Sequence, residues 1–180
     1  MSRRMKQGLV GLAVVTLLAM AGGAYAYYRY SFPYGWSHCC DKQLDLALYE
    51  YAERHEGWYA RGEATPEASL SLLFRENPYL ANVLRGKTVP EAAVLERLQS
   101  GQLLTPETCG WHYVEGLRKG DDPRLALFWD KVGLGHNGGR LPDGGHHVWF
   151  LGGPEYISGE KWDSFLEEQG RLRAKLGRRP

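Results

Sequence analysis

Residues 8–28, GLVGLAVVTLLAMAGGAYAYY, carry no charged side chain. Wound into a helix that rises 1.5 Å per residue, this run reaches about 30 Å, the hydrocarbon thickness of a bilayer. No other feature limits the fold as strongly, because a helix that is apolar all round must be covered by lipid or by a protein core. Gly8, Leu9, Val10, Leu12, Val14, Val15, Leu17, Leu18 and Met20 form the heart of the expected anchor. Arg3, Arg4 and Lys6 precede it and favour a cytoplasmic N-terminus. Tyr25, Tyr27, Tyr28, Tyr30, Tyr34 and Trp36 follow, and their amphipathic rings suit the outer membrane–water interface. The expectation is a single-pass helix in the cytoplasmic (inner) membrane with the domain outside the cytoplasm. The rival reading is a signal peptide over residues 1–26, since Ala24-Tyr25-Ala26 has the A-x-A form, which would leave a secreted or periplasmic domain. Either way the chain divides into an anchor and interfacial segment, 1–36, and an exported domain, 37–180.

Composition removes one functional class. Lys plus Arg is 22 and Asp plus Glu is 21, for a net charge of +1, which makes no electrostatic case for nucleic acid. Six Trp and eleven Tyr suit a packed domain rather than a disordered one.

Past a break at Ser31-Phe32-Pro33-Tyr34-Gly35, the spacing of Cys40, Leu44, Ala47, Leu48, Tyr51 and His55 marks one face of a helix over His38 to His55, with Gly57 as its stop. Thr65-Pro66-Glu67 reads as an N-cap, an N1 proline and a first-turn acid for a helix ending near Arg75. Short helical pieces follow over Tyr79 to Leu84 and Pro90 to Gln99. The pattern then changes to short aromatic and aliphatic runs, 111–114, 125–129, 147–151 and 156–157, separated by turn residues. A helix from Glu160 to Leu176 closes the chain. Helices first and strands later make this an α+β chain: an N-terminal transmembrane helix continuing into an amphipathic helix, packed on a small antiparallel sheet, with a C-terminal helix.

This order, with several local motifs, resembles bacterial pilin-like proteins, grouped with the pseudopilins of type II secretion. In one branch of that family the helical part reads roughly S-x-C-x-N-N-L-K-Q-I-x-L-A-L-x-x-Y. Ser37-His38-Cys39-Cys40-Asp41-Lys42-Gln43-Leu44-Asp45-Leu46-Ala47-Leu48-Tyr49-Glu50-Tyr51 is similar to it, with Cys39, Leu44, Leu48 and Tyr51 at motif positions. The branch ends with a histidine followed by V-x-F-x-D-G. His136, Gly138 and Gly139, then Val148, Phe150 and Gly153, look like its two halves. Gly152 stands where the family usually has Asp, and the family's Gly-Phe-Thr-Leu-x-Glu start does not occur between Met1 and Tyr28. The resemblance implies a pilin-like head with a structural or interaction role, no catalysis and no cofactor. The implied partners are the lipid bilayer and other pilin-like or secretion components.

Three constellations offer rival chemistry. His136, Asp143, His146 and His147, in and beside a glycine-rich stretch, could serve an exported metal-dependent hydrolase. The plainer reading of that stretch is an inter-strand loop with glycines at positive φ, oriented by hydrogen bonds from His136. Cys109 could bridge Cys40 or Cys39 in an oxidising compartment, or the thiols could do redox work, or they could be buried and free. A Cys/His zinc set from 38–40 and 109–112 needs four converging ligands, and adjacent helical cysteines point about 100° apart. No serine lies in a G-x-S-x-G elbow.

Overall fold

The computed structural model describes residues 2–36 and 41–177. The first element, α1, runs over Arg3–Ser31 without interruption and buries none of its residues. Its 29 residues extend about 43 Å, longer than a bilayer's apolar core, so its last turns lie beyond any span. Ser2 caps its start, and the Phe32 amide donates to the Tyr28 carbonyl at its end. The break expected at Ser31 to Gly35 is present: a turn follows, with Gly35 at φ +84°.

The globular part has α2 (Asp41–Arg54), α3 (Pro66–Glu76), a short 3₁₀ turn (Pro78–Leu80), α4 (Ala81–Leu84) and α5 (Glu91–Gln99). Strands β1 (Trp111–Tyr113), β2 (Ala126–Asp130), β3 (His146–Phe150) and β4 (Gly153–Ile157) come next, then a 3₁₀ turn and α6 (Trp162–Leu176). The strands form an antiparallel meander in the order β1-β2-β3-β4. Local chemistry explains much of this. The Thr65 side chain accepts from the Ala68 amide ahead of Pro66, as the cap pattern requires. Gly57 sits at φ +85° and its amide donates to Ala52 O, closing α2.

Side-chain alternation assigns the two sheet faces. Trp111 meets Phe128 edge-on and Phe128 stacks on Trp149, on the face shared with Tyr113 and Asp130. On the other face Trp129 and Phe150 meet the Phe165 ring of α6 edge-on. Every residue of β2 is buried, so the sheet is covered on both sides. Leu44, Ala47, Leu48 and Tyr51 are buried along α2, as their spacing requires, but His55 is not. It stacks on Tyr51 and lies 2.6 Å from Glu76, at the solvent edge of the stripe. Buried Gln169 fixes α6 to the sheet: its amide oxygen accepts from Ala126 N–H and its NH₂ donates to Arg124 O, where the register between β2 and β3 shifts.

Candidate functional site

The charged centre of the head is assembled from three distant segments. Asp41 is the first described residue of α2, Lys87 lies in the turn after α4, and Asp130 ends β2. The three are 1%, 2% and 2% exposed. Lys87 Nζ lies 2.9 Å from Asp41 Oδ1 and contacts Asp130 Oδ2 more closely still. It also faces the Trp111 ring, 5.6 Å from its centroid. The turn that delivers Lys87 depends on glycines: a Cβ on Gly110 would stand 2.3 Å from Arg85 O and 2.9 Å from Gly86 Cα. That close approach also orients Trp111, whose indole N–H donates to Val83 O at 2.8 Å.

Two carboxylates around one ammonium leave an excess negative charge in a dry site. Burial pushes Asp130 up to about 7, with Asp41 adding to the rise and Lys87 opposing it. Burial works against charge on Lys87 too, but Asp130 and Asp41 outweigh it and hold the ammonium above its ordinary value. Asp130 Oδ1 accepts no hydrogen bond among the described residues.

Beside this cluster, the quartet His136, Asp143, His146 and His147 does not converge on one point. Neighbours along β3, His146 and His147 point to opposite sheet faces. His146 stacks on Trp162 at 4.0 Å and its Nδ1 lies 3.1 Å from the Asp130 carbonyl. Burial lowers the pKa of both histidines; His136 and Lys87 contribute further at His147. Asp143 accepts from the Tyr156 hydroxyl at 2.5 Å, which lowers its pKa. Only His136 and His147 meet, with ring centroids 5.7 Å apart. Among the described residues no group of three His, Cys, Asp or Glu side chains is placed to hold a metal ion. A cavity of about 620 Å³ opens over Asp41, His136, His147, Trp149 and Tyr156.

The glycine-rich stretch is a folded loop with Gly138 and Gly144 at positive φ. Gly135 N–H donates to Gly139 O (2.7 Å) and Gly138 N–H to Gly135 O (2.9 Å), while Leu134 pairs with Arg140. The loop touches both helices flanking the break. His136 Nδ1 lies 3.3 Å from Asp41 Oδ2 at the start of α2. Arg140 donates its amide to Ser31 O (2.8 Å) and its Nε to Tyr30 O (3.3 Å), with its guanidinium 5.1 Å from the centre of the Tyr30 ring. A Cβ on Gly139 would sit 3.4 Å from the Phe32 ring, itself packed between Tyr28 and Trp36. Arg140 thus satisfies carbonyls that α1 leaves open at its C-terminus, where a cation is favoured.

Cys109 is a free, buried thiol whose Sγ faces the Leu84 and Trp111 carbonyls, and burial pushes its pKa up to about 12. Cys39 and Cys40, the other ends of the expected bridge, lie outside the described residues, as does the His38 to Cys40 half of the zinc set. Of the remaining motif positions, Leu44, Leu48 and Tyr51 are core residues of α2, Val148 is buried in β3, and Phe150 and Gly153 close the β3–β4 hairpin. The Asp41–Lys87–Asp130 cluster went unpredicted. Lys87 and Asp130 lie 43 residues apart, and no local pattern joins them. Compared with protein-family models, with curated proteins and with solved structures, the chain matches none of them.

Proposed function

We propose that this protein is a bacterial membrane-anchored, extracytoplasmic pilin-like protein, whose head has a structural or interaction role rather than a catalytic one. The observation that carries the reading is α1: long and apolar enough to cross a membrane, yet unburied by the rest of the chain. From Leu9 to Met20 its large apolar side chains are 49–67% exposed. At about 1 kcal/mol for each of these eight half-exposed side chains, leaving that surface in water rather than covering it forgoes roughly 8 kcal/mol. A whole domain has only about 5–15 kcal/mol of stability. A bilayer removes the problem, and the head closes its own core without the helix.

The head itself supports a non-catalytic role. Asp41, Lys87 and Asp130 pair with one another, His146 and His147 point to opposite sheet faces, and the Cys109 thiol is buried. The pilin-like part of the reading rests on the motif resemblance and on the sequence of anchor helix, amphipathic helix and antiparallel meander. Protease added to intact spheroplasts tests the topology. The head should be digested while a cytosolic marker survives; a head protected until the membrane is lysed would overturn the orientation.

A further inference from the structure

Where α1 meets the head, two cations have no carboxylate to pair with. Residues 1–36 and 131–142 contain no Asp or Glu. Neither Arg29 nor Arg140 forms an ion pair among the described residues. Both are exposed, and Arg29 lies in the last turn of α1. Arg140 comes 110 residues after Tyr30 yet is fixed to the same turn. Its amide donates to Ser31 O, its Nε donates to Tyr30 O, and its guanidinium lies over the Tyr30 ring. The two terminal guanidinium nitrogens donate to no acceptor among the described residues. We propose that Arg140, with Arg29 at the same level of α1, seats the phosphate of an anionic phospholipid in the outer leaflet, so that the 135–140 loop rests the head on the bilayer surface.

This inference rests on α1 crossing the membrane, and the length of α1 then sets the level of the site. The charge-free run from Gly8 to Tyr28 spans about 30 Å, the whole hydrocarbon layer. Tyr30 and Ser31 stand about 3–5 Å beyond it, inside the headgroup layer, which adds about 5–7 Å on each side. Arg140 is bonded to the backbone of both, so its guanidinium is held at that level. The neighbouring rings suit the same layer: Tyr30, Tyr34 and Trp36 are 66%, 51% and 54% exposed. A guanidinium fork matches two oxygens of one phosphate, and this one is partly fixed before a lipid arrives. Charge selects the lipid. A zwitterionic headgroup brings its own cation, whereas an anionic one leaves its phosphate charge for Arg140 and Arg29 to neutralise.

The test is native mass spectrometry of the full chain in neutral detergent micelles at pH 7.5, titrated with phosphatidylglycerol or phosphatidylcholine. Arg3→Gln, Arg4→Gln and Lys6→Gln are present throughout, which silences the cations at the other end of α1. Phosphatidylglycerol should bind at least about fivefold more tightly than phosphatidylcholine, the equivalent of about 1 kcal/mol for one cation at a lipid surface. Arg140→Gln should weaken phosphatidylglycerol by about the same factor, and Arg140→Lys, which keeps the charge, should retain the preference. Arg29→Gln changes an exposed helix position, leaves the contacts of the loop intact, and should weaken phosphatidylglycerol as well. Equal binding of the two lipids overturns the proposal, and so does an Arg140→Lys loss as large as that of Arg140→Gln. Displacement of the lipid by millimolar glycerol phosphate also overturns it, by making the site one for a soluble anion. Micelles impose no sidedness, so these affinities can fail while the protease topology stands, and the topology can fail while they stand.

Discussion

Lys87→Met is the sharpest perturbation of the head. The side chain is fully buried between Asp41 and Asp130 and faces the Trp111 ring. Methionine preserves most of the volume and removes the ammonium, leaving two dry carboxylates without a cation. Breaking a buried ion pair from one side costs about 3–5 kcal/mol, a third or more of a typical domain's stability. The assay is urea unfolding of the full chain in detergent micelles at pH 7.5, followed by tryptophan fluorescence, which Trp111 reports beside the change. Lys87→Met combined with Asp41→Asn and Asp130→Asn should regain most of the loss, because neutral amides are far less costly to bury than unpaired charges. A Lys87→Met penalty below about 1 kcal/mol would refute the reasoning, since it would place the triad in a solvated setting. So would a triple variant no more stable than the single one.

Three further outcomes follow from the same structure. Asp130 holds a proton in the folded chain at pH values where the unfolded chain, with a carboxyl near 4, has released it. Its contribution is full below about pH 4 and is lost as pH rises through about 7, on the order of 4 kcal/mol in all. His112, His146 and His147, lowered by burial, act oppositely, contributing above about pH 6.5 and losing that contribution as pH falls through their folded values. The native chain should therefore gain stability relative to Asp130→Asn between pH 7 and pH 5 in urea titrations, and a pH-independent difference would contradict the shift. Gly110→Ala should destabilise by roughly 2 kcal/mol or more in the same titration, because its Cβ would lie 2.3 Å from the Arg85 carbonyl; a neutral effect would contradict that close approach. Cys109 should resist maleimide in the native protein and label only on unfolding, as peptide mass mapping would report; labelling of the folded chain within minutes would contradict its burial.

Local signals carried the secondary structure well. The Thr65-Pro66 cap, the Gly57 stop and the aromatic runs of the sheet are each decided by a few neighbouring residues, and each element lies within a few residues of its expected place. The site was less legible because its partners are far apart in sequence. Asp41 reads as an ordinary first-turn acid, Asp130 as the polar end of a strand, and Lys87 as a turn lysine, until the Gly86–Gly110 approach brings the segments together. Gln169 is a second example: in sequence it belongs to the polar side of α6, and in the fold it completes the backbone bonding of β2. The histidines of 136–147 suggested a common centre, but strand alternation sends His146 and His147 to opposite faces. His136 lies 3.3 Å from Asp41 through its Nδ1.

The account depends on α1 staying attached and crossing a bilayer. Membranes washed with alkaline carbonate, followed by intact-mass and N-terminal analysis of the native protein, test this most directly. The account predicts a membrane-bound species at the full 20.3 kDa that retains the Arg3-to-Ser31 helix. A soluble product beginning at Tyr27, or an untrimmed chain recovered with cytosolic proteins, would contradict it.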